Sequence, residues 1–196
     1  IKADLSSELD IDMLKNTLPD SFHLIHLASP NTEKTNIVNK SNKIDFKGFT
    51  LQSSIELSIA KNLLSLVKNR ASFFLYASSI DVFNTHGPDK KLVNEETQPI
   101  PDSPYGFGKL LSEGIYKTEL KKLNIPLTIL RLPQIYGDYE FLFYKRAIPN
   151  FIKLTYLGRP LHITTNLQDS RQYLHCNDIL FSILSASSIY ADDLLE

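Results

Sequence analysis

Apolar residues recur along this chain with two different periods, and the switching between them lays out an alternation of helices and strands. Leu9, Ile11, Leu14 and Leu18 fall at helical spacing and predict a helix closed by Pro19-Asp20. The short continuous run Phe22-His23-Leu24-Ile25-His26-Leu27-Ala28-Ser29 reads as a buried strand. After a polar stretch from Pro30 to Lys47, expected to be a surface loop, Leu51, Ile55, Ile59, Leu63, Leu64 and Val67 return to helical spacing within Phe49 to Val67. Phe73-Phe74-Leu75-Tyr76-Ala77-Ser78-Ser79 predicts a second buried strand that ends in two hydroxyls. A helix from Tyr105 to about Leu123 and a third strand at Pro126-Leu127-Thr128-Ile129-Leu130-Arg131 follow. Ile1-Lys2-Ala3-Asp4-Leu5 reads as the end of a further strand. Strands at 22–28, 72–78 and 126–131 separated by helices predict an α/β fold with a doubly wound parallel sheet and right-handed crossovers.

Beyond Tyr139 the pattern weakens. An amphipathic run from Arg146 to Leu157 centres on Ile148, Phe151, Ile152 and Leu154 and is interrupted by Pro149. Gly158-Arg159-Pro160-Leu161 is expected to turn into a strand, and Asp178 to cap a helix from Ile179 to Tyr190. These readings divide the chain into an α/β domain over 1–140 and part of a smaller lobe with a return helix over 141–196.

Composition narrows the classes. With 196 residues and 42% hydrophobic content the chain can bury one sizeable core. Lys+Arg 21 against Asp+Glu 22 gives a net charge of -1, so no overall field favours nucleic acid or an acidic membrane. No apolar run reaches the 18 or so residues of a membrane span, and no signal peptide precedes the first element. The single cysteine, Cys176, excludes an internal disulfide framework and fits a reducing, cytoplasmic compartment. His175 adjoins it, but no further ligand at metal spacing joins them, so no metal site is expected.

The candidate chemistry centres on Tyr105 and Lys109. At i and i+4 of one helix, a phenol and an ammonium lie on a single face. A positive charge beside a tyrosine favours its phenolate, which would bring an ordinary pKa of about 10 toward working pH and make Tyr105 a base. Ser79, at the end of the preceding strand, can polarise the same substrate oxygen. A Tyr and a Lys four apart also occur in ordinary helices, so the surroundings decide. Ser78-Ser79-x-x-Val82-Phe83, then Glu95-Glu96 with Pro99 and Pro101, then Ser103-Pro104-Tyr105-Gly106-x-x-Lys109-x-x-x-Glu113 resembles the extended short-chain dehydrogenase/reductases, specifically the NAD-dependent nucleotide-sugar epimerases and dehydratases.

The resemblance implies a Rossmann-like fold, NAD or NADP as cofactor, and a catalytic set of Ser79, Tyr105 and Lys109, with Lys109 also holding the cofactor ribose. It implies cofactor contacts at Asp4 and Leu5 (adenine), Leu27, Ala28 and Ser29 (a strand end passing beneath it), Ser78, Leu132 and Pro133. Gln134 stands where the family's Asn meets the sugar-nucleotide phosphate. Arg171 is either the Arg that grips the diphosphate or a surface Arg. Dehydratases of the family carry an Asp-Glu pair directly after the Ser/Thr; Ile80 and Asp81 stand there, which argues against a 4,6-dehydratase. Asp81 is then a solvated turn carboxylate or a catalytic one. His26 is a hydrogen-bonded core residue or a catalytic one, and Arg131 is structural. No G-x-x-G-x-x-G occurs, so the loop that cradles a pyrophosphate at a helix N-terminus is missing, and the stretch is expected to be a fragment that binds cofactor weakly by itself. Three functions remain open: a nucleotide-sugar epimerase, a 4-keto nucleotide-sugar reductase, and a non-catalytic remnant or binding module. A homodimer through the Phe49 and Tyr105 helices is implied by the family, with Leu110 and Tyr116 either at that contact or in the core.

Overall fold

The computed structural model describes residues 1–30, 46–83, 93–94, 96–138, 147–163 and 171–190. They form two compact units, Ile1–Arg131 with the stretch from Ala186 onward, and Leu132–Ser185.

The first unit is built as a strand-helix-strand-helix-strand succession. Helix α1 (Glu8–Thr17) starts at Ser7, whose hydroxyl accepts from the Asp10 amide, with Glu8 and Asp10 in the first turn where the helix dipole favours negative charge. Strand β1 (Phe22–His26) pairs in parallel with β2 (Ala71–Ser79), His23 opposite Phe73 and His26 opposite Tyr76. Between them runs α2 (Phe46–Val67), and α3 (Pro104–Lys122) leads from β2 to β3 (Leu127–Leu132). The sheet order is β1-β2-β3, so β2 is central and Phe73 to Tyr76 are wholly buried. That position explains its uninterrupted apolar run. Helices α2 and α3 pack along one another, and Ile59, Leu63, Leu66, Phe74, Tyr76, Tyr116 and Leu120 form the core. Tyr116, one of two residues considered for a dimer contact, is therefore a core residue; Leu110 is half-buried.

Four expectations need correction. Ile1–Leu5 is not a strand, because Asp4 turns the chain: its Oδ1 accepts from the Ser6 amide at 2.8 Å and the Ser6 hydroxyl at 2.7 Å. Pro149 does not interrupt its helix, α4 (Ala147–Tyr156), since it sits in the first turn where no amide proton is needed. Arg159–Ile163 carries no strand; Gly158, with φ +61°, closes α4, and residues 164–170 lie outside those described. Helix α5 (Cys176–Ser188) begins before Asp178, which lies in its first turn and is not its cap.

The second unit pairs β4 (Gln134–Tyr136) in parallel with β5 (Tyr173–His175). A Cβ on Gly137, whose φ is +151°, would overlap the Cys176 thiol, so only glycine allows this approach. From Ala186 the chain counts with the first unit, where the Tyr190 ring stacks on Phe73 at 4.8 Å. Among the described residues no helix is long and apolar enough to cross a membrane, and no cluster of His, Cys, Asp or Glu is gathered for a metal ion.

Candidate active site

The carboxyl end of the central strand is where a parallel sheet opens, and the first unit gathers its candidate chemistry there. Strand β2 delivers Ser78 and Ser79 and runs into a single 3-10 turn, Ile80–Val82, capped by the Ser79 hydroxyl, which accepts from the Asp81 amide at 3.1 Å. Helix α3 begins opposite this turn. Ser103 caps it by accepting from the Gly106 amide at 3.0 Å, and Pro104 supplies a preset first-turn residue. Gly106 then lies so close to the turn that a Cβ there would overlap the Asp81 carbonyl oxygen. This contact brings Tyr105 up to Ser79.

Tyr105 is half-buried. Burial, then the Asp81 carboxylate, push its phenol pKa upward, against the hydroxyls of Ser29 and Ser79, which pull it down. The expectation that a Lys one turn away brings this phenol toward working pH is therefore corrected: burial and Asp81 shift Tyr105 the other way. Lys109, one turn on, is itself buried. Its side chain is 1% exposed and burial lowers its pKa, with the buried Glu56 carboxylate acting in the opposite sense. The Lys109 ammonium donates to the Ala77 carbonyl at 3.1 Å and lies 4.9 Å from the Tyr76 ring centre and 5.8 Å from that of Tyr105.

Glu56 sits against Gly108, accepting from Gln52 Nε2 at 3.2 Å and from Ser112 Oγ at 3.0 Å. Neither Glu56 nor Tyr76 was legible as part of the site beforehand, because a buried carboxylate within a helix and a tyrosine within a core strand carry no motif. Asp81, left open between a solvated and a catalytic role, is half-buried and acts on Tyr105 through its charge.

His26 is a core residue, as one of its two readings held, but among the described residues its Nε2 has no hydrogen-bond partner; its ring stacks on Tyr76 at 5.2 Å instead. Ser78 directs its hydroxyl to Glu113 at 2.6 Å. Leu27, Ala28 and Ser29 emerge exposed beyond the last paired residue of β1. Asp4 is exposed and Leu5 half-buried beside α1, the Leu5 carbonyl accepting from Asn62 at 2.9 Å. Leu132, Pro133, Gln134 and Arg171 belong to the second unit, where the β4–β5 register puts Gln134 and Arg171 at the same end of the strand pair. Asn84, Glu95 and Tyr139 lie outside the described residues. A cavity of about 420 Å³ lined by Lys117, Lys121, Ile125, Leu127 and Ile129 lies farther along α3 and contains none of the candidate residues.

The donor set fits the ribose end of a dinucleotide. An ammonium has three protons to give, and Lys109 gives one to Ala77, leaving two without an acceptor among the described residues. A buried cation so placed is suited to a vicinal diol arriving from the open end of the sheet.

The fold is that of an α/β protein of the short-chain dehydrogenase/reductase type. The sequence profile of the NAD dependent epimerase/dehydratase family matches residues 22–190, and the chain belongs to that family. It is 29% identical over 107 residues to a trifunctional UDP-glucose 4,6-dehydratase/UDP-4-keto-6-deoxy-D-glucose 3,5-epimerase/UDP-4-keto-L-rhamnose-reductase of Arabidopsis thaliana, a match covering 54% of this chain and 16% of that protein. In structure it resembles a UDP-glucose 4-epimerase with UDP-glucose from Thermotoga maritima, with a TM-score of 0.74 at 17% identity over 95% of this chain and 58% of the other. A UDP-glucuronic acid 4-epimerase from Bacillus cereus, in complex with UDP-glucuronic acid and NAD, aligns with a TM-score of 0.70 at 24% identity over 95% of this chain and 54% of the other. The chain thus spans under two thirds of the length of each.

Proposed function

We propose that this protein is an NAD(P)-dependent nucleotide-sugar epimerase, acting at a sugar carbon that bears a hydroxyl. The observation that carries this reading is the convergence of Ser79, Tyr105 and Lys109 at the open end of the central strand. Its substrate class is taken from the UDP-sugars bound by the Thermotoga and Bacillus proteins. The nicotinamide ring, when bound, supplies hydride acceptance and return, and its positive charge in the oxidised form favours the Tyr105 phenolate. Tyr105 Oη takes the proton of the sugar hydroxyl as the carbonyl forms and gives it back on reduction. Ser79 orients that oxygen, and Lys109 holds the ribose hydroxyls.

Two features of the site bear on the reaction type. A dehydration needs an acid and a base beside the same sugar, and of the two positions after Ser79 only Asp81 is ionisable. In the structure Asp81 also faces Tyr105, where its charge favours the protonated phenol, a poor arrangement for an independent base. Proton return and removal at one oxygen needs only Tyr105.

The test uses the intact protein with Tyr105→Phe as control, incubated with UDP-, dTDP-, CDP- and GDP-sugars while product and cofactor balance are followed. Product formed with cofactor in catalytic amount, and a loss of at least about 100-fold in Tyr105→Phe, is expected from removal of a general acid-base. Stoichiometric consumption of reduced cofactor with a keto sugar would replace this reading by a reductase. No turnover and no cofactor binding would leave a binding module.

A further inference from the structure

Ser79 and Tyr105 come from different elements, and the contact that holds those elements in register lies one layer beneath them. Glu113 occupies α3 one turn beyond Lys109 and two beyond Tyr105, on the same face. Its side chain is 1% exposed. Oε1 accepts from Ser78 Oγ at 2.6 Å and from Arg131 Nε at 2.9 Å, and Oε2 accepts from Arg131 Nη2 at 2.7 Å. The Arg131 guanidinium also lies 5.0 Å from the centre of the Phe83 ring, directly after the 3-10 turn. Three segments therefore meet at one carboxylate, the end of β2, helix α3 and the end of β3, and Arg131 ties them to the residue that follows the turn. Ser78 precedes Ser79 in extended backbone, so fixing the direction of one side chain fixes that of the next. A bidentate, buried ion pair is geometrically demanding, which suits it to setting register.

We propose that Glu113 is a positioning residue: the Ser78–Glu113–Arg131 latch sets the approach of the Ser79 hydroxyl to the Tyr105 phenol. Its catalytic meaning rests on the function proposed above, but the latch is tested without turnover, by reading the Tyr105 phenol directly. Tyr105 is faced by the Ser29 and Ser79 hydroxyls, by Asp81 from the turn, by Glu56 from α2 and by Lys109 on its own helix. Glu113 is faced by Ser78 from β2, Arg131 from β3 and, at 3.8 Å, Lys117 on α3. Removing the Glu113 charge and leaving Arg131 positive acts through space to lower the phenol pKa. Losing the approach of the Ser79 hydroxyl raises it. The sign separates the two.

The experiment is a carbon-13 NMR titration of the intact protein with tyrosine labelled at Cζ, the Tyr105 resonance being assigned by its disappearance in Tyr105→Phe. Glu113→Gln and Ser79→Ala are each expected to move the Tyr105 titration upward, and the double variant no further than Ser79→Ala alone. Ser78→Ala, which leaves the ion pair in place, is expected to shift it in the same direction and serves if Glu113→Gln does not fold. An unmoved or downward titration in the folded variants, or full additivity in the double variant, would overturn the proposal. Because neither cofactor nor substrate is present, absence of turnover in the sugar panel bears on the function and not on this result.

Discussion

At Tyr105 opposing influences compete, and their balance decides whether the phenol is an acid or a base. Burial and Asp81 favour the proton, while Ser29 and Ser79 oppose them. Such a residue is sensitive to its distance from the 3-10 turn, and Gly106 sets that distance. A methyl group at 106 would overlap the Asp81 carbonyl oxygen, which is backbone and cannot swing aside. Gly106→Ala is therefore expected to force the start of α3 away from the turn, reducing turnover by at least about 10-fold, a modest fraction of the usual worth of positioned acid-base catalysis. Gly114, on the same helix, has open space where its Cβ would stand. Gly114→Ala should leave turnover unchanged and raise stability, since alanine in a helix interior is favoured over glycine by about 1 kcal/mol. Steady-state kinetics and denaturant unfolding of the two variants check both halves.

At the scale of elements, α3 is the support of the site and its first turn is the critical part. The Ser103 hydroxyl accepts from the Gly106 amide, so the cap and the close approach share one residue. Ser103→Ala should cost about 1 kcal/mol of stability, measured by urea unfolding, while Ser103→Asp should retain most of it. Much of this scale was legible in the sequence. The buried run from Phe73 to Ser79, the helical spacing within Phe49 to Val67 and the Tyr105–Lys109 pair all lie in elements of the expected type. What escaped was decided by side chains acting on local backbone. Asp4 replaced a strand with a turn through hydrogen bonds to Ser6. Gly158 ended α4 without a strand following among the described residues. The site was legible in its residues and not in its electrostatics, because Glu56, Asp81 and Ser29 reach Tyr105 or Lys109 from separate segments. A spacing of four predicts that a Lys faces a Tyr. It does not predict how deeply both are buried.

At the scale of the molecule, the response to acid follows from one core histidine. His26 is 3% exposed, packed on Tyr76 and edge-on to Tyr116 and Phe74, with the Lys109 cation nearby. Burial, and secondarily that charge, push its pKa down to about 3 from an ordinary 6.5. The native state thus keeps His26 neutral where the unfolded chain takes up a proton, and stability falls as pH drops from about 6.5 toward 3. The slope approaches one proton, about 1.4 kcal/mol per pH unit. Glu113, whose folded pKa is lowered below 4.5 despite burial by its bonds to Arg131 and Ser78, adds its own loss only as pH falls through that lower range. Between pH 6.5 and 4.5 the two contributions are therefore separable. His26→Phe keeps a flat ring among aromatic neighbours and removes an Nε2 that lacks a partner among the described residues. It should leave the protein at least as stable at pH 7 and flatten the stability profile between pH 6.5 and 4.5 by nearly one proton. Urea unfolding at half-unit pH intervals measures this, and parallel wild-type and variant profiles would show that the acid response originates elsewhere.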